Sequence, residues 1–278
     1  SGDWSSDVCS SDLNRLASTL HRNQCKWVLL YVDRWLKAPL QLPNGCIKER
    51  YKGTPQGGVV SPILSNLFMH YCFDSWMTRN FPQVEWCRYA DDGLTHCKSE
   101  KQARFILQKL SERLKNCGLE LHPQKTKIVF CRDQNRDSEA EHYQFDFLGY
   151  TFRTRIARNS KDGRMFKSFS PAASSSALKE IRRTIKYGWK LQSKIHLSLE
   201  NIARKVNPII QGWINYYAKF NRDHFVQILK YLNNRLKIWA QRKFSRLRKK
   251  KGRSIDFIKH MIKVNPKLFA HWKWIPVY

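Results

Sequence analysis

Charge divides this sequence into two halves. Residues 1–152 carry 20 Lys and Arg against 17 Asp and Glu, a net of +3, whereas residues 153–278 carry 31 against 5, a net of +26. Such segregation implies two domains with different partners, the second of them polyanionic. Cysteine marks the same division, because all eight cysteines lie between Cys9 and Cys131. They form no C-x-x-C pair, which argues against zinc, and they read as reduced thiols of a cytoplasmic protein. Hydrophobic residues make up 42% of the 278-residue chain, enough for packed cores. No apolar run reaches 18 residues and no basic-then-apolar leader opens the chain, so neither a membrane span nor a secretory signal is expected. With membranes set aside, nucleic acid is the polyanion that fits.

Residues 1–13 (SGDWSSDVCSSDL) lack Lys and Arg altogether and read as a non-native leader outside the fold. From there the periodicities predict a helix over 27–36, a short strand from Ile47, a loop over 53–58 and a long buried helix over 60–77. Strands at 84–90 and 94–97 flank Asp91-Asp92-Gly93, whose D-G step suggests a tight hairpin. Ser99 with Gln102 forms a capping box for a helix that ends at Gly118. Strands at 127–131 and 145–152 follow, and beyond Phe152 the pattern turns helical. Asn207-Pro208 reads as a cap with proline in the first helical turn. Trp189, Trp213 and Trp239 fall on apolar stripes and read as core.

Tyr89-Ala90-Asp91-Asp92 is the sharpest chemical signal. Adjacent carboxylates at a hairpin tip repel, and a divalent cation relieves that cost. Two such ions about 4 Å apart activate a hydroxyl and its leaving group in nucleotidyl transfer. Asp is also favoured in ordinary turns, so the pair alone supports both readings equally. The string 53–68, GTPQGGVVSPILSNLF, adds weight to the first. Its glycines allow close backbone approach to a ligand, and Gln56 suits a base or sugar edge.

These blocks, in this order, resemble the reverse transcriptases encoded by bacterial group II introns, and the resemblance spans nearly all of residues 14–264. It implies that Pro55, Gln56, Gly57 and Gly58, with Tyr89, contact template and nucleotide. It implies that Asp91 and Asp92 are catalytic Mg²⁺ ligands of a two-metal site. Lys125, in GLELHPQKTKIV, would stand near the incoming nucleotide and protonate the pyrophosphate leaving group. Phe147, Leu148, Gly149 and Tyr150 would form the primer grip. The basic half is similar to the maturase region of the same family, most clearly at 207–217, NPIIQGWINYY. There Arg182, Arg183, Lys186 and Lys190, and Arg246, Arg248, Lys249, Lys250 and Lys251, are expected to bind RNA phosphates.

The implied fold is α+β: an incomplete reverse-transcriptase palm over 14–152, an antiparallel sheet with helices, then an all-helical thumb and maturase region over 153–278. The implied partners are group II intron RNA, a DNA target or primer and dNTPs, with room for a homodimer, in the bacterial cytoplasm. Two departures from the family qualify this. The strand that carries the other metal-binding aspartate has no counterpart upstream of the 53–58 loop, where Asp33 is the one acid between residue 14 and Glu49. A truncated palm unable to polymerise is therefore expected, with RNA-binding maturase work as the alternative function. No cysteine follows Cys131, so the cysteine-bearing nuclease of many relatives is not expected either.

Overall fold

The computed structural model describes residues 26–49, 58–159 and 161–275, and the chain divides into two compact units, 1–128 and 129–278.

In the first unit, α1 (Lys26–Lys37) is followed by the minimal ribbon β1 (Leu40–Gln41) and β2 (Ile47–Lys48). The expected helix over 60–77 is present but not uniform. It consists of α2 (Ser61–Met69), a π-helical turn (His70–Asp74) and α3 (Ser75–Asn80). Its apolar face is narrower than the sequence suggests, because Ile63 is exposed. A π turn leaves carbonyls out of the regular ladder. Arg113 supplies donors to two of them, its Nε 3.1 Å from the Cys72 oxygen and its Nη2 3.3 Å from that of Tyr71. Arg113 lies on α4 (Glu100–Asn116), whose N-cap forms as read, Ser99 Oγ accepting from the Gln102 amide, while Gln102 Oε1 reaches one residue past the cap and accepts from the Lys98 amide. Phe68, Cys72, Phe73 and Met77 pack with Val84, Ile106, Leu114 and Cys117 into one core. Each large side chain buried there contributes about 1.5–3 kcal/mol.

On this core sits the hairpin of β3 (Glu85–Tyr89) and β4 (Asp92–His96). The D-G step is not its turn. Tyr89 pairs with Asp92 and Arg88 with Gly93, so Ala90 and Asp91 make the two-residue connection and Asp92 already belongs to β4. Ala90 takes the left-handed conformation that a hairpin turn demands, at φ +51°. The expected strand at 127–131 is also absent, since a strand exists only as part of a ladder. The segment has the Phe130 amide bonded to the His142 carbonyl but no strand pairing among the described residues.

The second unit opens with an antiparallel sheet of order β5 (Gln144–Phe147), β6 (Tyr150–Arg158) and β7 (Met165–Ala173). Phe145 and Phe152 are cross-strand partners and stack at 4.9 Å between ring centroids. The sheet continues past Phe152, where a helical pattern is expected. Burial along β6 does not follow polarity, since Ile156 is exposed while Arg155 is half-buried and donates to the Thr151 and Ser170 carbonyls, and helices begin only at α5 (Ser175–Arg183). A π turn (Thr184–Gly188), α6 (Leu199–Tyr217), α7 (Arg222–Lys243) and α8 (Lys251–Val264) complete the unit. Ser174 and Ser198 cap α5 and α6 through their hydroxyls.

Asn207-Pro208 is not a helix start. Pro208 lies inside α6, where proline removes a ladder donor. Asn207 instead fastens the helix to the 268–270 segment, its Nδ2 donating to the Leu268 carbonyl and its Oδ1 accepting from the Ala270 amide. Trp189 and Trp239 are buried as read, and Trp213 stacks on Trp189 at 5.3 Å.

Candidate active site and nucleic-acid interface

Alternation along β3 turns Trp86 and Arg88 toward the helices and leaves Glu85, Cys87 and Tyr89 exposed. Across the hairpin, Gly93 lies opposite Arg88, and a Cβ built there would meet the Phe73 ring at an ordinary 3.6 Å. The Arg88 guanidinium reaches instead to the π turn and back to its own turn. Nε and Nη2 each donate to one oxygen of Asp74 at 2.7 Å, while Nη1 donates to Asn66 Oδ1 at 3.1 Å and to the Ala90 carbonyl at 2.7 Å. One side chain therefore joins the turn that bears Asp91 to the last residue of the π turn. Sequence reading missed Arg88. The available signal was parity, since Arg88 shares its strand face with Val84 and Trp86.

Asp91 and Asp92 project from the turn and the first position of β4, both exposed, beside exposed Tyr89. Carboxylate oxygens are the hard donors Mg²⁺ prefers. Among the described residues, however, no third Asp, Glu, His or Cys joins them as a metal cluster, so the pair fits part of a two-metal ligand set. Lys125 is exposed, in a turn where its amide donates to the His122 carbonyl at 3.2 Å. Pro55, Gln56 and Gly57 lie outside the described residues. Gly58 lies three residues before α2, and its carbonyl accepts from the Ser61 amide.

In the second unit, Phe147-Leu148-Gly149-Tyr150 is itself a hairpin. Phe147 pairs with Tyr150, and both turn residues are left-handed, Leu148 at φ +50° and Gly149 at φ +77°, the pattern of a type I′ turn. The turn is docked on the end of α6. Tyr216 Oη donates to the Leu148 carbonyl at 2.7 Å, and Tyr150 Oη donates back to the Tyr216 carbonyl. Tyr217 Oη would stand 3.0 Å from a Cβ at position 149. The two most recognisable strings, FLGY and INYY, thus meet, which their separation in sequence concealed.

The expected RNA-binding cations are all on the surface. Arg182, Arg183, Lys186 and Lys190 lie along α5 and the turns after it. Arg246, Arg248, Lys249, Lys250 and Lys251 do not end a helix. Arg246, Arg248, Lys249 and Lys250 form the crossing from α7 to α8, anchored by buried Leu247, and Lys251 is the first residue of α8. Further basic residues join them. Burial first, then the charges of Arg155, Arg153 and Arg182, hold His224 below the ordinary imidazole range. Strand β6, α5 and the start of α7 therefore gather four basic side chains. Tyr187 and Phe220 are exposed, with Lys186 4.6 Å and Lys219 5.8 Å from their ring centroids.

Two family patterns match the chain. Residues 12–152 match reverse transcriptase (RNA-dependent DNA polymerase), and residues 178–255 match the group II intron maturase-specific domain. No curated protein matched the chain.

Proposed function

The chain belongs to the group II intron-encoded reverse transcriptase/maturase family, and from that premise we propose that it binds intron RNA through its basic second unit and assists splicing. The observation that carries this reading is the exposed cationic surface of α5, β6 and the 246–251 crossing, within residues 153–278, which hold 31 basic and 5 acidic residues. Phosphate neutralisation by such side chains supplies sequence-independent affinity, and exposed aromatics beside lysines add stacking on unpaired bases. A cytoplasmic site of action follows from these partners.

For RNA-templated DNA synthesis we assign Asp91 and Asp92 as metal-binding carboxylates, Lys125 as proton donor to pyrophosphate, and the Leu148-Gly149 turn as the support for the primer end. The 55–58 loop and Tyr89 would contact template and dNTP. Bound Mg²⁺ would supply Lewis acidity at the reacting phosphate. The chain's own residues hold the carboxylates at a turn tip and keep the primer-grip hairpin rigid against α6. Because no third acid stands with the pair among the described residues, RNA binding without DNA synthesis is the activity expected of this chain alone. The test is affinity for intron RNA across a salt series, which should fall steeply; a flat response contradicts the reading.

A further inference from the structure

We propose that Arg88 and Asp74 together are the positioning device of the carboxylate turn: the pair fixes Ala90-Asp91-Asp92 on the π turn and so sets the geometry at which the two aspartates meet a divalent cation. This rests on the reading of Asp91 and Asp92 as metal ligands and adds to it the residues that hold them.

Three observations converge on this pair. First, a two-stranded hairpin is marginal alone, and among the described residues β3 and β4 have no third strand. The hairpin needs an external hold, and adjacent carboxylates at its tip push against order. Second, Ala90 is left-handed, a state that costs an L-residue about 1–2 kcal/mol. Such strain persists only where surroundings over-determine it. The Ala90 carbonyl is held at 2.7 Å by Arg88, one residue before Asp91. Third, Arg88 is itself immobilised. Its bidentate pair with Asp74 is mostly shielded, with side chains 9% and 17% exposed. Bidentate arginine–carboxylate geometry fixes orientation as well as charge.

Asp74 in turn is fixed by where it stands. It closes the π turn whose Tyr71 and Cys72 carbonyls are held by Arg113, and His70 Nδ1 lies 3.4 Å from its Oδ2. The chain of contacts runs from the buried core through the π turn to the aspartates. Lysine cannot replace Arg88, because a single ammonium cannot present a planar fork to Asp74 and a separate donor to the Ala90 carbonyl.

The experiment uses the full chain and separates holding the turn from merely stabilising the fold. Removing one partner of a shielded ion pair strands the other, whereas replacing both by apolar residues of similar volume is close to neutral. The double variant Arg88→Met, Asp74→Leu therefore keeps the melting temperature near that of wild type while abolishing the donor to Ala90. Hydrogen exchange is read for residues 86–94 and, as reference, for α4. Mn²⁺ binding is read by calorimetry on wild type, the double variant and Asp91→Asn. In the double variant, exchange in 86–94 should rise about tenfold with α4 unchanged, as loss of a charged hydrogen bond implies. Mn²⁺ affinity should weaken toward that of Asp91→Asn, and Arg88→Lys should fall between. Wild-type protection of 86–94 in the double variant overturns the proposal. So does a change in 86–94 that α4 shares, because the pair would then act on the whole unit. If wild type does not bind Mn²⁺, or Asp91→Asn binds it equally, the metal reading fails, and the exchange data still decide whether Arg88 and Asp74 hold the turn.

Discussion

Two glycines of the basic unit should respond to the same substitution with opposite sign. Gly149 is the second turn residue of the FLGY hairpin, at φ +77°, and an added Cβ would stand 3.0 Å from Tyr217 Oη. Alanine there costs about 1–2 kcal/mol in backbone strain alone. The contact adds to it, because Tyr217 is stacked on buried Phe225 at 5.8 Å and gives way only by disturbing that stack. Gly212 lies in the interior of α6, and among the described residues nothing stands within 4 Å of its built Cβ. Alanine there should gain about 0.8–1 kcal/mol of helix propensity. The two variants should therefore differ by about 2–3 kcal/mol around the wild type. Urea unfolding of the full chain, read by hydrogen exchange in α6, measures both. A neutral or stabilising Gly149→Ala would refute the docked left-handed turn. A destabilising Gly212→Ala would refute the open helix face.

His271 should make the second unit acid-sensitive. Its Nε2–H and the Trp272 indole N–H both donate to Asn233 Oδ1, which leaves Nδ1 buried without a partner among the described residues, and burial lowers its pKa from 6.5 to about 3. The unfolded chain therefore takes up the proton first, and stability falls as pH drops from about 6.5 toward 3, by about 2 kcal/mol between pH 7 and pH 5. His271→Asn should flatten that part of the urea-midpoint profile; an unchanged slope would remove His271 as its cause. Primer extension on an RNA template with Mg²⁺ and dNTPs should give no processive product from this chain, since each 1.4 kcal/mol of lost transition-state stabilisation costs about tenfold. Processive product that Asp91→Ala abolishes would show that another acid completes the site.

The features legible in the sequence are those set by local chemistry. Ser99 and Gln102 announce their cap because donor and acceptor lie three residues apart, and the tryptophan stripes announce the helical core. What stayed hidden depends on partners distant in sequence. The π turn at 70–74 rests on Arg113, which no local pattern links to Tyr71 and Cys72. Asn207 looks like a cap because Pro208 follows it, yet its amide is spent on Leu268 and Ala270. The hairpin turn falls at Ala90-Asp91 rather than at the D-G step, and Gly93 lies within β4 opposite Arg88. Arginine between threonine and isoleucine in β6 hides a strand inside a segment whose charge suggested helices throughout. The candidate carboxylates were visible at once, whereas the residues that hold them were not.

The central claim, that the basic unit grips RNA by its phosphates, is tested most directly by the salt dependence of intron RNA affinity. It is measured on the full chain and on a variant with Arg246, Arg248, Lys249, Lys250 and Lys251 all changed to Gln. Each single-strand phosphate neutralised contributes about −0.7 to the slope of log K against log salt, so losing five such contacts should flatten the slope by up to about 3.5. A steep wild-type slope that the variant reduces is the predicted result. A wild-type affinity indifferent to salt, or a variant slope equal to the wild type, would contradict the account of this surface.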